Sequence, residues 1–206
     1  MRGLLMFGKL FRRSASPAPV TPIRDVLMTQ EAVDDPDLTA PVETNITIVN
    51  HLLQTFRYKV EELPPEAIQS YAVDFYMAQV MNGGHEQFAH NANGQPHSWT
   101  FARSGLAAMG AAGHLRTFER FEHIIQRGDK RARDLIAGGG FGPADPEVEE
   151  IDDAFYAAEE QQLLAELNSQ WLRALPNLRV LPAAQLESWI NELADDPAVS
   201  ARMQRR

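Results

Sequence analysis

Cysteine is absent from the 206 residues of the chain. Its absence excludes disulfide bonds, thiolate nucleophiles and metal sites built on thiolates. Apolar runs are short as well, and none approaches the roughly 18 residues that a membrane-spanning helix needs. We therefore expect a cytoplasmic protein without a membrane span.

Strand-like alternation of apolar and polar residues is also missing over any useful length. Apolar residues recur instead at helical spacing, as in Phe118, Phe121 and Ile125. With 44% hydrophobic residues, the chain can bury a substantial core. The sequence predicts an all-α fold, a compact domain of about six to eight helices.

Three regions are expected along the chain. Residues 14–44 are rich in Pro, Ser, Thr and Asp, and we predict that residues 1–44 form a mobile N-terminal arm with one helical turn near residues 23–28. A single helical domain should span residues 45–196. Residues 197–206 contain three arginines and predict a basic, disordered tail.

The formal charge of −9 is unevenly distributed. Residues 144–196 contain 13 acidic and two basic side chains, so nearly all the acidity lies in one segment. Such a segment repels a phosphate backbone, which argues against direct binding to nucleic acid. A solvated acidic face without a partner is the simplest interpretation of the charge alone.

Helical periodicity breaks at residues 82–94, which are rich in Asn, Gly, Gln and His. Gly83 and Gly84 supply the positive φ that the end of a helix commonly needs. Asn93 and Gly94 give a second turn signal. The residues between these two turns predict a short polar helix that joins two longer helices.

Histidine and glycine patterns in the chain match no catalytic or metal-binding motif. His85 and His90 are five residues apart, which places them about 140° apart on a helix, so they cannot share one metal ion. The glycine run 138–142 lacks a preceding strand and a following Gly-Lys-Ser/Thr, so it predicts a flexible connection and not a phosphate loop. We predict no enzyme, no metal site and no cofactor.

The acidic residues 145–175 are compatible with a helix throughout. Val148, Ile151 and Phe155 mark an inner stripe in the first half, whereas the apolar stripe of residues 164–175 is turned by about half a circle. Two interpretations stay open. Either the helix is broken near residues 161–162, or one helix is buried on two sides.

One motif resembles the signature of a known family, a bacterial all-helical family whose best-known member is a double-stranded-DNA mimic protein. The motif consists of Asn82, Gly83, Gly84, Gln87, Phe88, Asn91 and Gly94. The resemblance extends over roughly residues 45–181. Two positions depart from the family pattern. His85 stands where we expect an apolar or aromatic residue, and Ala89 stands where we expect an aromatic one.

The resemblance implies a helical domain, often a homodimer, whose acidic surface occupies the basic site of a DNA-binding protein such as a transcriptional regulator. In this chain the partner-binding face would consist of Asp145, Glu149, Glu150, Asp152, Asp153 and Glu160. From Asp145 to Glu166, nine carboxylates would span about 32 Å of helix, a length that holds roughly nine or ten phosphates of one DNA strand. Side chains that point elsewhere reduce the usable density to about half of that value.

Two other functions remain open at this point. The first is a structural or scaffolding protein without DNA mimicry, in which Asn82, Gln87 and Asn91 only stabilise the helix junction through hydrogen bonds. The second is a hydrolase that uses His85 or His90, which would require one pocket lined by both side chains.

Overall fold

The computed structural model describes residues 19–204, and these residues are mostly helical. This confirms the predicted fold class, although the described part contains ten α-helices where six to eight helices were expected, together with a π-helical turn (His51–Thr55), a 3-10 turn (Val60–Glu62) and two short strands. In chain order the elements are β1 (Val26–Thr29), α1 (Gln30–Asp34), α2 (Ala40–Asn50), α3 (Pro65–Asn91), α4 (Pro96–Ala108), α5 (Ala112–Gln126), α6 (Lys130–Gly138), α7 (Pro146–Gln161), α8 (Leu164–Arg173), β2 (Leu178–Leu181), α9 (Ala183–Asp195) and α10 (Pro197–Met203).

Residues 19–44 differ from the predicted mobile arm. Val26, Leu27 and Met28 form a strand that pairs in parallel with β2, and all three side chains are buried. A run of three apolar residues is too short to show a period, which is why the sequence indicated only a helical turn. The part of the predicted arm before Pro19 lies outside the described residues.

Residues 197–204 also differ from the predicted disordered tail, of which Arg205 and Arg206 lie outside the described residues. Asp196 caps α10, Val199 is fully buried, and the Arg202 guanidinium donates two hydrogen bonds to the Glu62 carboxylate at 2.6 and 2.8 Å. Net basic composition suggested disorder, but these arginine contacts depend on a residue 140 positions earlier in the chain.

Two main groups of buried side chains hold the elements together. One joins β1, α2 and the start of α3 to α8, α9 and α10. The other surrounds Tyr76 and connects α3 with α4, α5, α7 and α8. The second group is the one that positions α7, which carries the acidic residues.

Removing the Met28 side chain tests whether the first strand is part of the core. Met28 is fully buried, so Met28→Ala should lower the free energy of unfolding by about 2–5 kcal/mol in a urea titration. Leu38→Ala, at a residue that is 38% exposed, serves as the matched control and should change little. Equal, small effects of both variants would contradict the docked strand.

Candidate functional site

Helix α3 bends sharply at Gly83 and Gly84, where the sequence predicted the helix junction. Gly84 has φ of 72°, and both glycines depart from helical geometry. A Cβ atom on Gly84 would lie 2.5 Å from Oδ2 of Asp152 in α7. The bend therefore needs glycine for two reasons, the left-handed backbone and the close approach of a carboxylate.

The Asp152 carboxylate caps the part of α3 that follows the bend. The backbone N–H of His85 donates to Asp152 Oδ1 at 3.0 Å, and the His85 Nδ1 atom lies 2.5 Å from the same oxygen. Glycine at the cap position has no side chain to accept from the first free N–H groups of the helix, so α7 supplies the acceptor. A negative charge at a helix N-terminus is also favoured by the helix dipole.

His85 is the centre of a buried chain of hydrogen bonds. Its Nε2 atom lies 2.8 Å from the Tyr76 hydroxyl, which is 3.4 Å from the Thr117 hydroxyl. Burial lowers the pKa of His85, although the hydrogen bond to Asp152 opposes this effect, and burial raises the pKa of Tyr76. A neutral His85 donates from Nδ1 to the carboxylate and accepts at Nε2 from Tyr76.

A second carboxylate of α7 repeats this arrangement one heptad later. Glu159 Oε1 lies 2.8 Å from His114 Nε2 and accepts the backbone N–H of Leu164, the first residue of α8, at 3.0 Å. The ring of Phe155 lies between the two pairs and contacts both imidazoles edge-on. Asp152 and Glu159 thus share an inward face of α7, and each caps another helix while it binds a histidine.

The polar residues of the signature motif lie close together across the bend. Asn82 donates to Gln87 at 2.9 Å, and Gln87 and Asn91 both donate to the side-chain oxygen of Gln79 at 3.0 and 2.5 Å. Phe88 is fully buried beside Tyr76 and Trp99. These contacts explain the motif as a device that holds two helical segments at a fixed angle.

Glycines of the predicted flexible connection complete the junction. Gly139 ends α6 in the left-handed conformation, with φ of 56°. A Cβ atom on Gly140 would lie 2.5 Å from the Gly83 carbonyl oxygen. Glu86 is buried beside this loop, and desolvation raises the pKa of its carboxyl group. The glycine run therefore packs against the bend in addition to connecting α6 with α7.

The six predicted acidic site residues do not share one surface. Asp145 caps α7 and forms a bidentate ion pair with Arg131, at 2.7 Å for both contacts, which holds the pKa of that carboxyl below its usual range. Glu150 is exposed and lies 3.8 Å from Arg120. Asp152 points inward to His85. These three carboxylates are partly or fully compensated within the molecule.

The remaining three lie along one outer side of the helix. Glu149, Asp153 and Glu160 are exposed on α7, and within residues 19–204 none has a cationic partner within 4.0 Å. Their spacing of four and seven residues places them on one side of the helix. We call these three residues the α7 stripe.

The angular positions of the carboxylates on a helix, which follow from the sequence alone, distinguish the inner from the outer ones. At about 100° per residue, Asp152 and Glu159 fall within about 70° of the centre of the apolar stripe formed by Val148, Ile151 and Phe155. The α7 stripe lies on the opposite side of that helix.

The structure also decides between the two interpretations of residues 145–175, because α7 ends at Gln161 and α8 begins at Leu164.

Comparison with known proteins supports the resemblance seen in the sequence. The family model described as "DMP19-like protein" matches residues 61–175, which is more than half of the chain. The chain belongs to the DMP19-like family. The family is one of DNA mimic proteins and not a known enzyme family. The matched range includes the bend, the α7 stripe and both histidine–carboxylate pairs. The comparisons with curated proteins and with solved structures gave no match.

The two histidines considered for hydrolysis lie in different surroundings. His85 has no exposed surface, whereas His90 is exposed and its Nδ1 atom lies 2.8 Å from the Ile136 carbonyl oxygen. In the described part of the chain, no group of three or more His, Cys, Asp or Glu side chains is arranged to hold a metal ion. No helix there has the length and apolar character to cross a membrane.

Replacing His85 by phenylalanine tests the buried chain of hydrogen bonds. The variant keeps an aromatic ring among Tyr76, Phe121 and Phe155 but leaves Asp152 and the Tyr76 hydroxyl without the imidazole. We expect His85→Phe to lower the free energy of unfolding by about 1–3 kcal/mol at pH 8 in urea titrations.

This stability difference should also depend on pH. Because burial lowers the pKa of His85 in the folded protein, the unfolded chain binds a proton near the ordinary value of 6.5 before the folded protein does. The contribution of His85 is therefore present above pH 6.5 and is lost as the pH falls from 6.5 towards the lowered pKa. The difference between wild type and His85→Phe should shrink over this range. His97→Phe, at an exposed position, controls for the loss of one histidine, and a constant difference for His85→Phe would contradict a neutral buried imidazole.

Alanine at Gly84 tests the close approach of Asp152. Gly84 and Gly94 have nearly the same φ, 72° and 75°, but a Cβ on Gly94 would meet no atom within 4 Å. Gly94→Ala should cost about 1–2 kcal/mol for the left-handed backbone alone. Gly84→Ala should cost clearly more in the same unfolding assay, because Asp152 must move. Equal losses for both variants would show that Asp152 does not constrain the bend.

Proposed function

We propose that the protein binds a basic DNA-binding protein through the α7 stripe and thereby occupies the site of the DNA backbone. The observation that carries this proposal is the presence of three exposed carboxylates on one side of α7 that are not neutralised by described residues. Membership of a DNA mimic family supports the class of partner. A transcriptional regulator is the kind of partner that we propose.

The dimensions of the stripe are compatible with a short length of DNA strand. Glu149 and Glu160 are 11 residues apart, which corresponds to about 17 Å of helix at 1.5 Å per residue. One DNA strand places roughly five phosphates in that distance. Three carboxylates over this length give a lower charge density than a DNA strand has. The density is also lower than the value obtained from the sequence, which counted nine carboxylates along one continuous helix.

The inner carboxylates contribute to this function by orienting the helix. Asp152 and Glu159 attach α7 to three other helices through His85, His114 and Leu164. This attachment turns the opposite side of α7 to solvent. A fixed row of charges loses less conformational entropy on binding than a mobile one.

Charge reversal of the stripe tests the proposal. A DNA-binding protein captured from the native cell at low salt would first be bound to a fluorescent DNA duplex, and release of the duplex by the purified protein would be measured by anisotropy. Exposed ion pairs contribute roughly 0.2–1 kcal/mol each, so Glu149→Lys/Asp153→Lys/Glu160→Lys should weaken the competition by about tenfold or more. High salt should weaken the wild type in the same direction.

Three exposed carboxylates on α9 provide a control with the same change in net charge. The variant Glu187→Lys/Glu192→Lys/Asp195→Lys should still release the duplex, because these residues lie on another helix. If reversal of the α7 stripe left the competition unchanged, the proposed face would be wrong. That result would favour the scaffolding alternative, in which the acidic residues have no partner.

A further inference from the structure

A second acidic surface lines a groove between α1, α2 and α9. The groove has a volume of about 890 Å³. Its apolar lining is formed by Ala32, Ala40, Ile48, Leu186 and Ile190. Its acidic lining is formed by Glu31, Asp35 and Glu43. The other lining residues are polar, namely Thr29, Thr44, Thr47, Asn50, His51, Gln54 and Thr55. A groove with apolar and acidic parts is suited to a segment that carries both apolar and cationic side chains.

The three carboxylates of the groove have no cationic partner within 4.0 Å among residues 19–204. Glu31 accepts a long hydrogen bond of 3.4 Å from the Ala183 N–H. Asp74 lies near Glu43, and burial together with the charge of Glu43 raises the pKa of the Asp74 carboxyl. The guanidinium of Arg173 donates to the backbone carbonyl of Asp35 at 3.3 Å, so one described cation lies close to Asp35 without pairing with its carboxylate. The carboxylates of Glu31 and Glu43 have no such neighbour among the described ion pairs.

The first 18 residues have the complementary composition. They contain Arg2, Lys9, Arg12 and Arg13 and no acidic residue. Their large apolar residues are Leu4, Leu5, Met6, Phe7, Leu10 and Phe11. The described chain then begins at Pro19, and Val20 is buried in the same group of core residues as Ile48 and Leu186. The cationic, apolar segment is thus joined to the fold at a residue of the core group that also contains lining residues of the groove.

We propose that residues 1–18 dock into this groove in the same molecule, with their apolar side chains on its floor and their cations beside Glu31, Asp35 and Glu43. The proposal does not depend on the α7 stripe. The α7 stripe offers a similar charge, but the groove also offers an apolar floor that shares its core with Val20.

The connection within one chain makes weak contacts sufficient. Eighteen residues reach up to about 60 Å, well beyond the radius of gyration of roughly 17 Å expected for a compact chain of this length. A tethered segment has an effective concentration in the millimolar range. Docking in the same molecule therefore needs only modest affinity, which a few apolar contacts and exposed ion pairs provide.

Introduced cysteines test the proposal in the full-length protein, because the natural chain has none. The first variant is Gly8→Cys/Thr47→Cys, in which Thr47 is an exposed residue of the groove. The control is Gly8→Cys/Ala157→Cys, in which Ala157 is an exposed residue of α7. Under mild oxidation we expect the groove pair to form an intramolecular disulfide about tenfold faster than the α7 pair, because contact raises the effective concentration of the thiols.

Neutralising the groove should remove this difference. Glu31→Gln/Asp35→Asn/Glu43→Gln in the groove pair should reduce its rate to that of the α7 pair, whereas Glu149→Gln/Asp153→Asn/Glu160→Gln should leave it unchanged. Equal rates for the two pairs would overturn the proposal, as would a preference for the α7 pair. Disulfides between molecules would assign the groove to a second copy. If the two pairs react at equal rates and the full-length protein binds anionic vesicles, the segment would be assigned to a lipid surface. Disulfides between molecules and binding to vesicles would each overturn the proposal.

Discussion

The bond between the Asp152 carboxylate and the N-terminus of the second part of α3 is the contact on which the candidate site depends. It replaces the cap that Gly84 cannot provide, and the same oxygen binds the buried His85 imidazole. Since a helix N-terminus buried without an acceptor is costly, the bend in α3 and the position of α7 are coupled. The glycine run after α6 then packs against the bend, because Gly140 has no side chain.

This coupling gives α7 two acidic faces with different roles. Asp152 and Glu159 point inward and bind histidines, whereas Glu149, Asp153 and Glu160 point outward and are not neutralised by described residues. Counting carboxylates along the helix therefore overstates the charge that a partner would meet. The inner face fixes the orientation of the helix, and the outer face, which pairs with no described cation, is the one that we propose for the electrostatic contact with a partner.

Much of the fold could be predicted from the sequence, and the failures have a common cause. The bend at Gly83 and Gly84 and the break after Gln161 can be predicted from neighbouring residues alone. The glycines indicate the bend, and the change in direction of the apolar stripe around the helix indicates the break. Strand β1 and helix α10 were missed because their partners, residues 178–181 and Glu62, lie far away in the chain. The sequence also could not show that Arg131 pairs with Asp145, because this contact depends on how α6 packs beside the start of α7.

The sequence by itself determined the helical class, the family motif and the concentration of acidic residues after position 144. These properties depend on residue type and on spacing within one helix, so they can be seen without the fold. Only the tertiary structure decided which carboxylates are available, because Asp152 and Glu159 are held by hydrogen bonds to histidines 45 or more positions away. Charge is a property of composition, whereas the exposure and pairing of that charge arise only when distant segments pack together.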